Sequence, residues 1–203
     1  MIIEKFNNFI NEDLIIVDVQ KSFSKFFNDK YLRELNKFCN KFKNVYQIWD
    51  NHVDGKNISK DYLYDIDPEI PIHKDLYQFP NQKDLIEKRY NYNVNVDFYK
   101  SLLHKNVYDD IKKKEMSNSL KKGESFKTRK GTYIIFIGNN HKWCHIGLKL
   151  ANLFLSLKGK NVKIIGGSDS ECLEDIFTSA ESLGVLIQRD WKFIYSANHC
   201  PIK

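Results

Sequence analysis

Three side chains of complementary chemistry follow three apolar stretches of this chain: Asp18 behind Leu14-Ile15-Ile16-Val17, Lys88 behind Leu85-Ile86-Glu87, and Cys172 behind Val162-Lys163-Ile164-Ile165-Gly166-Gly167. A thiol that meets a carboxylate and an ammonium is an activated nucleophile, because the carboxylate can accept its proton and the ammonium can stabilise its thiolate. Cys172 carries the most information of the three. Its apolar run ends in two glycines, continues through Ser168-Asp169-Ser170-Glu171, and leads into an amphipathic run over 173–183. That pattern predicts a buried strand, a tight turn and a helix whose first residue is the thiol. Unpaired N–H groups and the positive end of the helix dipole favour the thiolate there. Asp169 and Glu171 oppose it, so the expected activation comes from Lys88 and the helix end. The plain alternative is a small residue in a strand–helix turn beside a structural Asp–Lys pair.

Cys144 is a rival. Gly138-Asn139-Asn140-His141-Lys142-Trp143-Cys144 repeats the glycine-to-cysteine spacing between an expected strand and an expected helix. Cys172 lies closer to the C-terminus, and its helix ends in Ala180-x-x-x-Gly184 before another strand.

The elements that must position these groups follow from the patterning. A continuous apolar run over 14–19 with one carboxylate reads as a buried parallel strand. Leu32, Leu35, Phe38 and Phe42 at helical spacing predict a helix over 28–42. Val45-Tyr46-Gln47-Ile48-Trp49 predicts a second strand, and 85–90 a third. The segment 54–80 is polar with three prolines and reads as a long ordered loop. A helix begins at Val96. The stretch 109–130 is charged and poorly patterned. Residues 132–137 form a strong strand signal, 146–157 a helix with Gly159 as its C-cap, and 185–188 with 192–195 two short terminal strands. Alternating strands and helices imply an α/β fold, three-layer α/β/α with a mostly parallel, Rossmann-like central sheet. In such a sheet all three reactive strand ends share one edge.

A chain of 203 residues fits one domain, and 42% hydrophobic content supplies a core, which excludes wholesale disorder. The net charge of +6 comes mostly from lysines scattered among asparagines. Lys112-Lys113-Lys114, Lys121-Lys122 and the run 127–130 could meet a polyanion, but a solvated face is the simpler reading, so nucleic acid is not the expected partner. The start Met1-Ile2-Ile3-Glu4 is not that of a signal peptide, and no apolar run approaches ~18 residues, so no membrane is expected. Four cysteines without regular spacing are expected to be free thiols in a reducing, cytoplasmic setting.

Taken in order, Leu14-Ile15-Ile16-Val17-Asp18-Val19-Gln20 with Phe23, Glu87-Lys88-Arg89-Tyr90, and Gly166 to Cys172 with Ala180 and Gly184 resemble the isochorismatase-like cysteine hydrolases, which include nicotinamidases and N-carbamoyl amide hydrolases. The resemblance covers roughly 12–100 and 146–199. It implies that Cys172 attacks an amide or ureide carbonyl of a small molecule and forms a thioester, that Asp18 is the general base, and that Lys88 orients Asp18. It implies a cis peptide at Gly167–Ser168 that aims the backbone N–H of Ser168, with that of Cys172, at the developing oxyanion. The 84 positions between Lys88 and Cys172 exceed the family's usual spacing, which implies an inserted hairpin or loop around 104–143. Phe23, Trp49 and Tyr90 are candidates for the substrate pocket or, equally, for the core. Asp50-x-His52 with His73 resembles the nicotinamidase metal site, which would take zinc, iron or manganese; the bland reading is a cap and two surface histidines. His141, Cys144, His145, His199 and Cys200 form a weaker, irregularly spaced set. Relatives often self-associate, so a homo-oligomer is conceivable. Two other functions remain open: a non-catalytic binding protein on the same scaffold, and a vinyl ether hydrolase of the isochorismatase type.

Overall fold

The apolar run that opens the chain's core is buried along its whole length, and a strand buried on both faces needs neighbours and two covering layers. The computed structural model supplies both. It describes residues 12–49, 76–88, 90–138, 142–170, 172–196 and 199–202. In chain order the strands are β1 (Asp13–Val17), β2 (Asn44–Trp49), β3 (Gln82–Glu87), β4 (Tyr90–Asn93), β5 (Glu124–Lys127), β6 (Tyr133–Phe136), β7 (Trp143–Ile146), β8 (Asn161–Gly166) and β9 (Leu186–Ile194). The helices are α1 (Asp29–Cys39), α2 (Lys105–Met116), α3 (Leu148–Ser156) and α4 (Cys172–Ser182), with 3₁₀ segments at Lys21–Phe26 and Val96–Leu102.

Five strands form a parallel sheet in the order β3-β2-β1-β8-β9. Successive residues of β1 serve opposite faces, as the two-residue period requires. Leu14 and Ile16 pack with Tyr31, Leu35 and Phe38 of α1. Ile15 and Val17 pack with Leu150 and Phe154 of α3 and Leu173 and Ile176 of α4. The chain is therefore α/β, a parallel sheet flanked by helices. Helix α1 starts where Asn28 accepts a hydrogen bond from the Tyr31 N–H at 2.8 Å, a side-chain cap for an otherwise orphaned donor.

The remaining strands form a second sheet, antiparallel, in the order β4-β7-β6-β5. Ile135, Cys144 and Ile146 on one of its faces share the core of α3 and α4. Ile134 and Trp143 on the other pack with Ile111 of α2 and with Val96, Tyr99 and Leu102. The antiparallel sheet thus lies over the α3–α4 layer and is itself covered by α2.

Several sequence expectations change here. The stretch 104–143, expected as an inserted hairpin or loop, contains the antiparallel pair β5–β6 and, in addition, helix α2. Helix α2 escaped notice because only Ile111 is buried along it, which leaves no apolar periodicity to read. The strand expected at 132–137 belongs to the antiparallel sheet. The third strand stops at Glu87, and the chain resumes as β4 in the other sheet. The helix expected from Val96 is a 3₁₀ segment. The two terminal strands are one: the register moves from Ile164↔Arg189 to Gly166↔Ile194, which absorbs the polar middle that resembled a break.

Candidate active site

The order of the parallel sheet reverses at β1. From β1 the chain proceeds through α1 to β2 on one side, and from β8 through α4 to β9 on the other. The two helices lie on opposite faces, so the carboxyl ends of β1 and β8 mark the usual ligand position in an open α/β sheet. Asp18 is the first residue past β1, and Cys172 is the first residue of α4.

Asp18 leaves the strand in a left-handed conformation, φ 53°, which an aspartate tolerates at a cost of order 1 kcal/mol. The surroundings hold it there. Its N–H donates to the Ile48 carbonyl at 2.9 Å, its carbonyl accepts from the Gln20 N–H at 3.1 Å, and the Tyr195 hydroxyl donates to that same carbonyl at 2.7 Å. Gln47, buried in β2, donates to the next carbonyl, Val19, at 3.2 Å. The carboxylate is 2% exposed and forms a 2.9 Å ion pair with Lys88, which is 4% exposed. Lys88 is anchored by its own N–H, which donates to the Trp49 carbonyl at 2.6 Å. A charge so deeply buried requires such a partner.

Lys88 engages Asp18 through Oδ2, while Oδ1 is buried with no hydrogen-bond partner among the described residues. The Cys172 thiol is close enough to the Lys88 ammonium and the Asp18 carboxylate for both to act on its ionisation. Burial pushes that thiol up to about 12; Lys88 draws it down and Asp18 pushes it up. The expectation of a thiol activated in advance by Lys88 and the helix end is corrected: desolvation outweighs both. The resting group is a thiol beside the Asp18–Lys88 pair.

The glycine pair shapes the turn out of β8. Gly166 has φ 106°, and a Cβ there would stand 2.1 Å from the Val17 carbonyl oxygen. A Cβ on Gly167 would meet the Tyr195 hydroxyl oxygen at 2.6 Å and the Asp18 Cβ at 3.0 Å. Both positions exclude side chains so that β8 can pass against Asp18. The cis peptide expected at Gly167–Ser168 is absent: that bond is trans, since the turn is made by the left-handed Gly166 and by the Gly167 N–H donating to Val17 at 2.7 Å. Ser168 accepts at its carbonyl from the Leu173 N–H at 3.2 Å. Cys172, at the start of α4, has no acceptor within the helix for its N–H.

Of the two acidic residues expected to oppose the thiolate, Asp169 has a cation nearby, and the neighbouring Glu174 is ion-paired. Asp169 Oδ1 lies 3.7 Å from Arg189 Nη1, and Glu174 pairs with both Arg189 and Lys122, the latter at 2.8 Å. Glu171 lies outside the described residues.

Cys144 does not occupy a turn. It lies within β7, fully buried, with its thiol pushed well above the usual range by desolvation. Its neighbour His145 faces the opposite side, where Nε2 lies 2.8 Å from Thr132 Oγ1 and the ring stacks on Tyr99. His199 is exposed, and the Cys200 thiol donates to the Ile202 carbonyl at 3.3 Å. The Cys/His set therefore does not converge; His141 lies outside the described residues. Asp50, His52 and His73 also lie outside them, and among the described residues no three metal-ligating side chains cluster. Phe23 is half-buried on the 3₁₀ segment after Asp18 and packs near Phe26. Trp49 is buried at the end of β2. The Tyr90 side chain lies outside the description. All four cysteines are free. Lys112 and Lys114 of the basic cluster pair with Asp97, Glu115, Asp110 and Glu124.

Tyr195 and Arg189 were missed. Nothing local marks either: Tyr195 meets Asp18 from 177 positions away. No family model, curated protein or solved structure matches this chain. No helix among the described residues is long and apolar enough to cross a membrane.

Proposed function

We propose that this chain is a cysteine hydrolase that cleaves a C–N bond, amide or ureide, in a small molecule. The observation that carries the reading is the buried Asp18–Lys88 pair at 2.9 Å, at the sheet's reversal point, with one carboxylate oxygen unpartnered and both charges acting on the Cys172 thiol at the start of α4. The order of the sequence motifs, which resembles that of the isochorismatase-like cysteine hydrolases, supports it further.

In this mechanism Asp18 accepts the thiol proton as Cys172 Sγ bonds to the carbonyl carbon. The backbone N–H of Cys172, at the start of α4, is a donor available to the oxyanion. The proton passes from Asp18 to the departing nitrogen, the C–N bond breaks, and a thioester remains. Asp18 then takes a proton from water, whose oxygen attacks the thioester; the acid leaves and the proton returns to sulfur. Lys88 fixes the orientation of Asp18 through their ion pair. Asp50, His52 and His73 remain candidates for a divalent ion on sequence pattern alone, and no step depends on one. Free thiols fit a reducing, cytoplasmic compartment.

Ammonia release from a panel of primary amides and ureides tests this. Cys172→Ala, Asp18→Asn and Lys88→Met should each lower turnover at least about a hundredfold, while Cys144→Ala retains it. The burial that pushes the thiol up favours a second reading, a non-catalytic binding scaffold with a remnant triad. An inactive wild type, with Cys172 alkylation indifferent to Asp18→Asn, would establish that reading and overturn ours.

A further inference from the structure

The antiparallel sheet has no part in the chemistry above, yet it grips the helix that carries the nucleophile. Tyr92 of β4 donates its hydroxyl hydrogen to Asp175 Oδ2 at 2.6 Å. Lys122, just before β5, pairs with Glu174 at 2.8 Å. Ser125 of β5 donates to the Ser182 carbonyl at 3.3 Å. The first two contacts fall in the opening turn of α4 and the third on its last residue. Apolar packing reinforces them: Tyr92 and Cys172 both lie against the core that holds Cys144, the cross-strand partner of Tyr92.

The Tyr92 contact has a particular geometry. Tyr92 stands four positions after Lys88, and Asp175 three positions after Cys172. Residues three apart on a helix share a face, so the bond joins the lysine-bearing segment to the thiol-bearing turn. The Asp18–Lys88 ion pair fixes the lysine against β1; the Tyr92–Asp175 bond fixes the cysteine's helix to β4, four positions beyond the lysine.

The geometry points to Tyr92 as a positioning residue that sets the placement of Cys172 relative to Lys88 and Asp18, with the antiparallel sheet as the clamp. This rests on the hydrolase reading for its purpose, but not for its test, which needs no substrate. The rate of Cys172 alkylation by iodoacetamide, located by peptide mass, is followed against pH in the full chain. Tyr92→Phe and Asp175→Leu should each change the Cys172 alkylation rate on the rising limb, at pH 9, by at least about threefold. Asp175→Asn, which keeps an acceptor for the hydroxyl, should leave it close to the wild type. The double variant Tyr92→Phe with Asp175→Leu should shift no further than either single change. Thermal melting and far-UV circular dichroism identify any variant that fails to fold; the Asp175 pair decides the matter if Tyr92→Phe is one. Wild-type profiles in Tyr92→Phe and Asp175→Leu would overturn the proposal, as would an Asp175→Asn profile equal to that of Asp175→Leu.

Discussion

At Cys172 two opposing physical effects can be weighed. An ammonium and a helix amino end lower a thiol's pKa, whereas removal from water raises it. Cys172 is pushed up to about 12, so desolvation dominates and a base must act at the moment of attack. Its iodoacetamide alkylation should therefore keep rising above pH 9, where an ordinary thiol is already levelling off. A rate that plateaus below pH 8 would show a thiolate formed in advance. Peptide mapping must separate Cys172 from Cys200, which is also partly exposed. At this scale the sequence was informative about residue types: the aspartate and the lysine behind two apolar runs form the 2.9 Å Asp18–Lys88 pair. It was silent about Tyr195, whose hydroxyl secures Asp18, because a side chain's distant partner leaves no local trace.

Among the elements, the turn from β8 into α4 is the most constrained. Gly166 has φ 106° and no room for a Cβ against the Val17 carbonyl. Gly166→Ala should destabilise the protein by about 3 kcal/mol, since both backbone strain and a backbone clash are added. Urea unfolding midpoints measure this, and a loss under about 1 kcal/mol would show that β8 can move away from β1. Elements with strong apolar patterns, β1, β2, β8, α1 and α4, were legible because burial imposes their period. Helix α2 buries only Ile111, and β5 only Phe126, so neither had a pattern to read. Cys144 was misplaced for a related reason: Trp143–Ile146 is a buried strand so short that it resembles a turn entering the next helix.

Across the whole molecule, the second core beneath α2 introduces an acid sensitivity. Burial lowers His145 from 6.5 to about 4. The folded state thus binds this proton less readily than the unfolded chain. The stability it accompanies is complete above pH 6.5 and declines as pH falls through about 4, by about 3 kcal/mol in all. His145→Gln, which can still bond to Thr132, should melt with a flatter pH dependence between 7 and 4 than the wild type. Equal slopes would place the acid sensitivity elsewhere.

The sequence by itself determined the parallel core and the three reactive residue types, because buried strands and helices must show their periodicity in the chain that builds them. Tertiary structure alone decided the rest: that β1 lies between β2 and β8, that the thiol rests protonated, that the glycine turn is trans, and that 90–146 contributes a second sheet gripping α4. Each of these depends on contacts between segments far apart in the chain and on the removal of water, and neither is a property of any local stretch.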